Sequence, residues 1–289
     1  MIVVQLKGGL GNQLFQYAAG FSLAKQKDLQ LKVDVSELRQ PDEKTGTIRK
    51  YELCNIINPP AIATNEEIEF FKRKTVLTYA QKLLPSYKRF VYNEKNFGFD
   101  ENFFKSGSHI YLKGYRQSEK YFLLFEQDIR RNFQLKDSLI NRVQLQATRF
   151  ADVESVSIHI RRGDYTNAAG EGFHGSLPND YYQAAIDKLS STLKNPMFFI
   201  FSDNIDWVKN NLKIGSGVEL VSGLITKNHY EDFFLMSRCK HCVIANSSFS
   251  WWSAWLNPNP SKIVIAPKKW FNTSNLNTKD LIPDSWIKL

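Results

Sequence analysis

The chain has 289 residues, a formal net charge of +9 and 43% hydrophobic residues, so it can bury a sizeable core and is not globally disordered. No apolar run reaches the roughly 18 residues that span a bilayer, and the N-terminus enters a strand pattern without the basic start and apolar run of a secretion signal. The three cysteines, Cys54, Cys239 and Cys242, provide no disulfide framework, which is typical of a reducing compartment. We therefore expect a cytoplasmic protein.

The first half of the chain predicts a βαβ unit followed by less regular structure, because a buried strand, a glycine-rich turn, a helix and a second strand succeed one another. The predicted elements are a strand at 2–6, a tight turn at 8–12, a helix at 13–27, a strand at 29–35, irregular structure at 40–65, a helix from 66 to Pro85, a strand at 109–115 and a helix at 119–133.

The second half restarts the alternation of strands and helices, which predicts another parallel α/β sheet. The predicted strands are 156–160, 197–202, 218–221, 241–245 and 262–266, and the predicted helices are 179–193, 205–212, 229–239 and 247–256. Two such halves, joined near 135–155, predict an N-terminal domain over 1–150 and a C-terminal domain over 151–289. We expect a ligand site in the cleft between them.

The segment His159-Ile160-Arg161-Arg162-Gly163-Asp164-Tyr165 follows the first strand of the second half. Ligands of open α/β sheets bind outside the carboxyl ends of strands, and the planar guanidinium fork suits phosphate oxygens. The pattern therefore favours a site for a phosphorylated ligand, with His159 and Asp164 available for acid–base or positioning roles. A solvated loop with a local ion pair is the alternative interpretation.

The glycine turn Gly9-Leu10-Gly11 resembles a dinucleotide-binding turn, but Leu14 occupies the last position of the Gly-x-Gly-x-x-Gly pattern. Asp34 ends the second strand, where such sites place an acid that binds ribose. A nicotinamide-dependent oxidoreductase therefore remains an alternative. The basic charge also leaves an RNA-binding α/β protein open, although no RNA-binding module is recognisable and the aromatic residues lie mostly in core-like segments.

Two further strand ends carry polar residues. Asp203 can accept two donors from a guanine edge or a ribose diol, although Asp203 or Asn204 can instead cap the following helix. Asn246, Ser247 and Ser248 lie at a strand-to-helix turn whose exposed N–H groups favour an anion. The helix that follows contains three tryptophans, for which core packing is the favoured role: Trp251, Trp252 and Trp255.

The sequence gives little indication of a metal site. Cys239-Lys240-His241-Cys242 contains three potential ligands, but no second Cys/His cluster completes a closed zinc site, and adjacent strand residues point to opposite faces. The chain contains no Asp-x-Asp, so no carboxylate pair for a nucleotide-bound Mg²⁺ or Mn²⁺ is apparent. We expect no metal, and we expect the double arginine to carry the phosphate charge.

Three segments together resemble the α-1,2-fucosyltransferases of glycosyltransferase family 11. They lie in the family's order and span nearly the whole chain, and Phe201-Ser202-Asp203 matches a fourth, weaker segment. The three segments are Gly8-Gly9-Leu10-Gly11-Asn12-Gln13-Leu14-Phe15-Gln16-Tyr17, His159-Ile160-Arg161-Arg162-Gly163-Asp164-Tyr165 and Asn246-Ser247-Ser248-Phe249-Ser250-Trp251-Trp252-Ser253.

The resemblance implies an α/β, GT-B-like fold with two Rossmann-like domains facing across a cleft. It implies a C-terminal domain that binds GDP-fucose, an N-terminal domain on the acceptor side, and neither a cofactor nor an obligatory metal. Residues from Phe173-His174-Gly175 to Pro178-Asn179-Asp180-Tyr181-Tyr182 fit the loop after the arginine motif, without assigned roles. The implied site consists of His159, Arg161 and Arg162 at the donor diphosphate, Asp203 at the guanine end, Asn246, Ser247 and Ser248 at a second phosphate-side turn, and Gly11, Asn12 and Gln13 in an acceptor-side loop.

The implied reaction is inverting transfer of fucose from GDP-fucose to O2 of a terminal β-galactoside. Arg161 and Arg162 would stabilise the charge that develops on the leaving diphosphate. Asp164 is the first candidate for the general base and His159 the second, although Asp164 can equally hold an arginine in place. The expected partners are GDP-fucose and a galactose-terminated oligosaccharide or glycolipid, without nucleic acid. Peripheral contact with the inner face of a membrane stays open.

Overall fold

The computed structural model describes residues 1–41, 48–73, 75–163, 175–212, 217–273 and 276–289. The chain divides into two compact units. Unit 1 comprises Met1–Gln134 with Leu276–Pro283, and unit 2 comprises Leu135–Asn275 with Asp284–Leu289. Each unit contains its own parallel sheet.

Unit 1 is built on a five-stranded sheet in the order β3-β2-β1-β5-β4, in which every pair of neighbours is parallel. Helix α1 forms the crossover connection from β1 to β2, as the apolar periodicity predicts. The strands are β1 Ile2–Gln5, β2 Leu31–Asp34, β3 Ala61–Ile62, β4 Val91–Asn93 and β5 Ile110–Lys113, and the α-helices are α1 Leu10–Lys27, α2 Asn65–Lys72, α3 Val76–Ala80 and α4 Glu126–Asn132.

Three predicted helices and two unpredicted strands distinguish unit 1 from the sequence prediction. Helix α1 begins at Leu10 instead of Gln13, so the predicted turn at 8–12 is partly helical. The helix predicted over 66–85 stops at Lys72, because Arg73 has extended ψ, and resumes at Val76. The helix predicted over 119–133 is interrupted at Phe122, whose φ of −142° is not helical, so only α4 is an α-helix there. Strands β3 and β4 were not predicted because each has only two or three residues.

Unit 2 contains a six-stranded sheet in the order β11-β10-β9-β6-β7-β8, again parallel throughout. The strands are β6 Ser155–Ile160, β7 Met197–Ser202, β8 Val218–Leu220, β9 His241–Val243, β10 Val264–Ala266 and β11 Ile287–Lys288. The α-helices are α5 Asp137–Ile140, α6 Gln144–Asp152, α7 Asn179–Thr192, α8 Ile205–Asn211, α9 His229–Arg238 and α10 Ser248–Leu256.

Residues 135–150, which the sequence assigns to the N-terminal domain, lie in unit 2. The reason is packing: Phe150 of α6 stacks on Phe199 of β7, with ring centroids 3.8 Å apart. Next to it Arg149 forms an ion pair with Glu219 of β8. The sequence pattern alone does not reveal these contacts between α6 and the sheet.

The core of unit 2 explains why β7 is so apolar and why every residue of β6 is buried. Both strands are interior to the sheet, and buried strands of parallel sheets are covered by helices on both faces. Helix α10 is buried on all sides, and its three tryptophans pack against one another as expected: Trp251 and Trp252 are fully buried and Trp255 nearly so. Truncating one such side chain to alanine costs about 3–5 kcal/mol.

The sheet topology determines where ligands can bind. In unit 2 the chain starts at β6, adds β7 and β8 on one side, and then returns to place β9 and β10 on the other. The order therefore reverses between β6 and β9. Loops that leave the carboxyl ends of two strands at such a reversal diverge and leave a crevice, which is the usual ligand position in open α/β sheets.

Candidate active site

The two arginines follow the carboxyl end of β6 and have different surroundings. Arg161 Nη1 lies 2.8 Å from Oδ2 of Asp203, which follows β7. The guanidinium of Arg162 lies over the Trp207 ring of α8, 4.0 Å from its centroid. Arg162 Nε is buried without a hydrogen-bond partner among the described residues. Adjacent side chains thus diverge, and a ligand oxygen could satisfy the Arg162 donor.

Asp203 also fixes the backbone of this turn. Its Oδ1 accepts the N–H of Arg162 at 2.9 Å and its Oδ2 accepts the N–H of Gly163 at 3.1 Å. A Cβ atom at Gly163 would lie only 2.5 Å from Asp203 Oδ2, so the close approach requires glycine. The neighbouring Asn204 caps α8 by accepting the N–H of Trp207 at 2.9 Å. The sequence left both residues as cap candidates, and Asn204 has that role.

His159 lies in β6 and is only 5% exposed. Its ring lies 5.7 Å from that of Phe249, centroid to centroid, and Nδ1 has no hydrogen-bond partner in the described part of the chain. Burial lowers the pKa of His159, Asp203 partly opposes this, and Arg161 adds to the lowering, so that the pKa of His159 is about 4. The imidazole is therefore neutral at pH 7 and can serve as a hydrogen-bond partner.

The turn after β9 offers backbone donors to an anion. Ser247 is the N-cap of α10, but its side chain makes no capping hydrogen bond and the first turn contains no acid. Helix α10 therefore presents the N–H groups and positive dipole end that favour phosphate. Asn246 has a structural position: it is buried, and its Nδ2 donates to the carbonyls of Gly175 at 3.0 Å and Trp270 at 3.2 Å. Ser248 is partly exposed at the start of the helix.

A cavity of about 310 Å³ lies beside the arginine turn within unit 2. This volume is at the lower limit for small-molecule sites. Asn272, which lines the cavity, and Trp207, which lies under Arg162, were not predicted as site residues from the sequence. A single Asn in a loop and a Trp in a first helical turn are common in proteins that bind no ligand. The cavity is lined by Arg162, Gly175, Ser176, Leu177, Pro178, Asn179 and Asn272.

The N-terminal loop residues occupy three different environments in unit 1. Gly11 is buried inside α1, and Asn12 is partly exposed, with Oδ1 accepting from Gln117 Nε2 at 2.7 Å. Gln13 is fully buried. Its Nε2 donates to the carbonyls of Gly8 and Lys50, and its Oε1 accepts the N–H of Glu52. Of the three, only Asn12 presents a polar side chain to the surface of unit 1.

Unit 1 contains a carboxylate that holds a turn in the way that Asp203 does in unit 2. Glu94, after β4, accepts the N–H groups of Tyr115 at 2.7 Å and Arg116 at 2.9 Å, both after β5. Gly114, directly before these two residues, has a φ of +129°, a conformation that favours glycine. Burial raises the pKa of Glu94. The sequence gave no signal for this carboxylate, because its partners are backbone groups of a strand that is distant in the chain.

Several sequence candidates lie elsewhere. Asp164, with Tyr165, Phe173 and His174, lies outside the described residues. Asp34 is fully buried and bonds to the Tyr111 hydroxyl and the N–H of Ser36, so it is not available to a ribose. This removes the main support for a nicotinamide enzyme.

The Cys239–Cys242 segment does not form a metal site in the structure. His241 Nδ1 accepts the N–H of Ile263 at 3.0 Å, so Nε2 is the protonated nitrogen and donates to Glu154 at 2.9 Å. Both ring nitrogens are therefore used. Over the part of the chain that the structure describes, no group of three or more His, Cys, Asp or Glu side chains could hold a metal ion.

Among the helices that the structure describes, none combines the length and the apolar content that a bilayer span requires.

Comparison with known proteins identifies relatives over the full chain. The family model for glycosyl transferase family 11 matches residues 1–289. An α-1,2-colitosyltransferase of Escherichia coli is 34% identical and covers 100% of this chain and 99% of its own length. The O-antigen biosynthesis glycosyltransferase WbnK of Escherichia coli is 33% identical over 98% and 99%. A human galactoside α-(1,2)-fucosyltransferase 1 is 27% identical over 50% of this chain and 42% of its own length.

Two solved structures with the same fold are fucosyltransferases. NodZ from Bradyrhizobium matches with a TM-score of 0.53 at 14% identity, covering 89% of this chain and 92% of its own. FUT1 of Arabidopsis thaliana, in complex with GDP, matches with a TM-score of 0.53 at 13% identity, covering 92% and 70%. The predicted α/β, GT-B-like fold class is confirmed by this likeness and by the two parallel sheets.

Proposed function

Because the chain belongs to glycosyl transferase family 11, we propose that it transfers fucose from GDP-fucose to O2 of a terminal β-galactoside with inversion at C1. An α-1,2-colitosyltransferase and a galactoside α-(1,2)-fucosyltransferase among the relatives support the α-1,2 linkage, and the second also supports a galactoside acceptor. The donor site of this proposal is built at the carboxyl ends of β6, β7 and β9. Its residues are Arg161, Arg162, Asp203, Ser247 and Ser248, with His159 of β6 and Asn246 buried beside them.

One observation carries the proposal: β9, β6 and β7 are neighbours in the sheet of unit 2, and each ends in a group suited to a nucleoside diphosphate. The arginine turn follows β6, the carboxylate of Asp203 follows β7, and the uncapped start of α10 follows β9. Because carboxyl ends of parallel strands share one edge, cations and helix N–H groups lie on both sides of the reversal between β6 and β9.

The chemistry follows from where charge develops. As the bond between C1 of the sugar and the diphosphate breaks, negative charge grows on the leaving oxygens, and fixed donors stabilise that charge without reorganisation. Arg162 lines the cavity, and its buried Nε has no partner among the residues that the structure describes, so we assign it to the phosphate. Arg161, paired with Asp203, holds the turn and adds its charge.

The acceptor hydroxyl loses its proton as it attacks, so a general base is part of the proposal. Asp164 remains the first candidate. His159 is a weaker one, because a pKa of about 4 makes its imidazole a poor proton acceptor at pH 7. On the acceptor side, Asn12 is the candidate of the N-terminal loop, with Gly11 and Gln13 shaping it from within.

Colitosyl transfer is the second candidate for the donor, and the 34% identity to a colitosyltransferase favours it. Colitose is fucose without its 3-hydroxyl, so the two donors present the same diphosphate to the arginines and differ at one hydroxyl. A site that hydrogen-bonds a substrate hydroxyl rejects the analogue that lacks it by about 10⁴-fold or more. The acceptor in this proposal is a galactose-terminated oligosaccharide or glycolipid.

The test is a donor panel. The purified protein is incubated with GDP-fucose or GDP-colitose, together with lactose, in the presence of excess EDTA, and products are detected by mass spectrometry. Fucosyl-lactose formed in EDTA supports both the donor and a reaction without metal or cofactor. Product only from GDP-colitose assigns the second donor, and turnover that requires Mn²⁺ contradicts the role given to the arginines.

A further inference from the structure

Unit 1 has an apolar stripe that faces outward. Val76 is 88% exposed, Tyr79 56% and Leu83 91%, and their spacing of three and then four residues places them on one side of α3 and the turn that continues it. An amphipathic helix normally turns such a stripe toward the core. Here the stripe is exposed, and Leu84 beside it is also 41% exposed.

The segment around the stripe is strongly basic. Between Phe70 and Asn93 the sequence contains six lysines and arginines and no aspartate or glutamate. Lys72 lies 3.4 Å from Asp34, but in the described part of the chain no carboxylate pairs with Lys82 or Lys88. We call the three stripe residues together with Lys82 and Lys88 the 76–88 patch.

Contacts within the segment hold this patch in a defined shape. Lys82 Nζ lies 4.8 Å from the centroid of the Tyr79 ring, so the charge stays beside the stripe. Arg89 donates from Nη2 to the carbonyl of Lys82 and from Nε to that of Leu84, each at 2.8 Å. Arg89, which lies shortly before β4, therefore holds the backbone on both sides of Leu83. The apolar side chain of Leu83 is thus presented on an ordered backbone.

We propose that the 76–88 patch docks unit 1 on a bilayer that contains anionic lipid. Apolar side chains between lysines match the boundary between headgroups and acyl chains, and each lysine or arginine near an anionic surface adds about fivefold to binding. A second copy of the chain is a poorer occupant, because two such basic faces repel each other. The proposal concerns where the protein is held and does not depend on its donor or acceptor.

The test is vesicle co-sedimentation of the full-length protein. Vesicles of phosphatidylcholine alone are compared with vesicles that contain about one third phosphatidylglycerol, at low and high salt. We expect binding to the anionic vesicles only, weakened by salt. The double variant Val76→Ser/Leu83→Ser, and separately Lys82→Glu/Lys88→Glu, should each reduce the partition coefficient by about tenfold or more.

Matched controls lie in unit 2. Leu145 of α6 is 82% exposed and Lys188 of α7 is exposed, so Leu145→Ser and Lys188→Glu change the same chemistry elsewhere and should leave binding unaltered. Turnover on a soluble acceptor should be unaltered in all variants. Absence of binding to anionic vesicles, or equal loss in the controls, would overturn the proposal. So would a dimer in analytical ultracentrifugation that Val76→Ser/Leu83→Ser dissociates, which would make the patch an interface between copies.

Discussion

Asp203 holds Arg161 from a neighbouring strand, with its carboxylate 2.8 Å from Arg161 Nη1 and bonded to the two backbone N–H groups that follow. The arginine turn is therefore positioned before any donor is bound. Such preorganisation matters because a hydrogen-bond donor that must first be oriented stabilises the transition state less than one that is already in place. Glu94 holds the turn after β5 in unit 1 through the same pair of backbone bonds.

The two arginines should respond differently to substitution by lysine, which keeps the charge but loses the planar fork. Arg162→Lys removes both the stack on Trp207 and the buried Nε, for which no described residue is a hydrogen-bond partner. We expect its turnover to fall by about a hundredfold or more, as on loss of one oxyanion donor, with a smaller loss of GDP affinity. Steady-state kinetics and calorimetry measure the two quantities, with folding checked by circular dichroism. Near-normal turnover in both Arg161→Lys and Arg162→Lys would place the diphosphate elsewhere.

Asp203 and Arg161 should behave as one unit. Asp203→Asn and Arg161→Lys are each expected to lower turnover by about tenfold, and the double variant should lose less than the product of the two because both remove the same contact. Asp206→Asn is the control, since Asp206 is exposed and lies 3.9 Å from Lys209 on the same helix. Full additivity in the double-mutant cycle would mean that Asp203 does not act through Arg161.

Gly163→Ala should damage the site although it adds a single methyl group. Its Cβ would meet Asp203 Oδ2 at 2.5 Å and displace either the carboxylate or the turn. We expect a loss of turnover of at least about tenfold with a cost in stability of about 1–3 kcal/mol. Gly107→Ala is the matched control, because nothing lies within 4 Å of its added Cβ. The comparison combines turnover with thermal unfolding, and equal behaviour of the two variants would contradict the role of the close approach.

His159 should make stability depend on pH in the acid range. Its pKa falls from 6.5 to about 4 on folding because the ring is buried, so the unfolded chain binds a proton that the folded chain does not. The stability present above pH 6.5 is therefore lost as pH falls toward 4, by about 3 kcal/mol at most. His159→Gln should lose less stability than the parent over this window in urea unfolding, and the exposed His109→Gln should match the parent. Identical pH profiles for the parent and His159→Gln would show that His159 is not buried as the neutral form.

Local patterns were sufficient to predict much of unit 2. Strand β7 lies at the predicted residues, because buried parallel strands have short, continuous apolar segments bounded by polar turns. Strand β6 ends at Ile160, directly before the arginines, as its alternation of apolar and polar residues predicts. The cap at Asn204 is also local, since an Asx side chain bonds three residues ahead.

The contacts that set the site depend on which strands are neighbours. Asp203 meets Gly163 because β7 pairs with β6, and Asn246 bonds to Gly175 across 71 residues of sequence. A single sequence contains no record of such pairings. For the same reason the contact between Arg162 and Trp207 could not be predicted, because it depends on the turn geometry that Asp203 imposes.

The most direct measurement is the structure of the product formed from GDP-fucose and lactose, determined by NMR. The proposal predicts an α-linked fucose on O2 of the galactose, which establishes the donor, the linkage and, since the donor is β-linked, the inversion. Arg162→Lys tests whether the reaction takes place at the arginine turn, and this variant should form much less product under the same conditions. A β-linked product, a different linkage, or no fucosylated product from any terminal galactoside would contradict it.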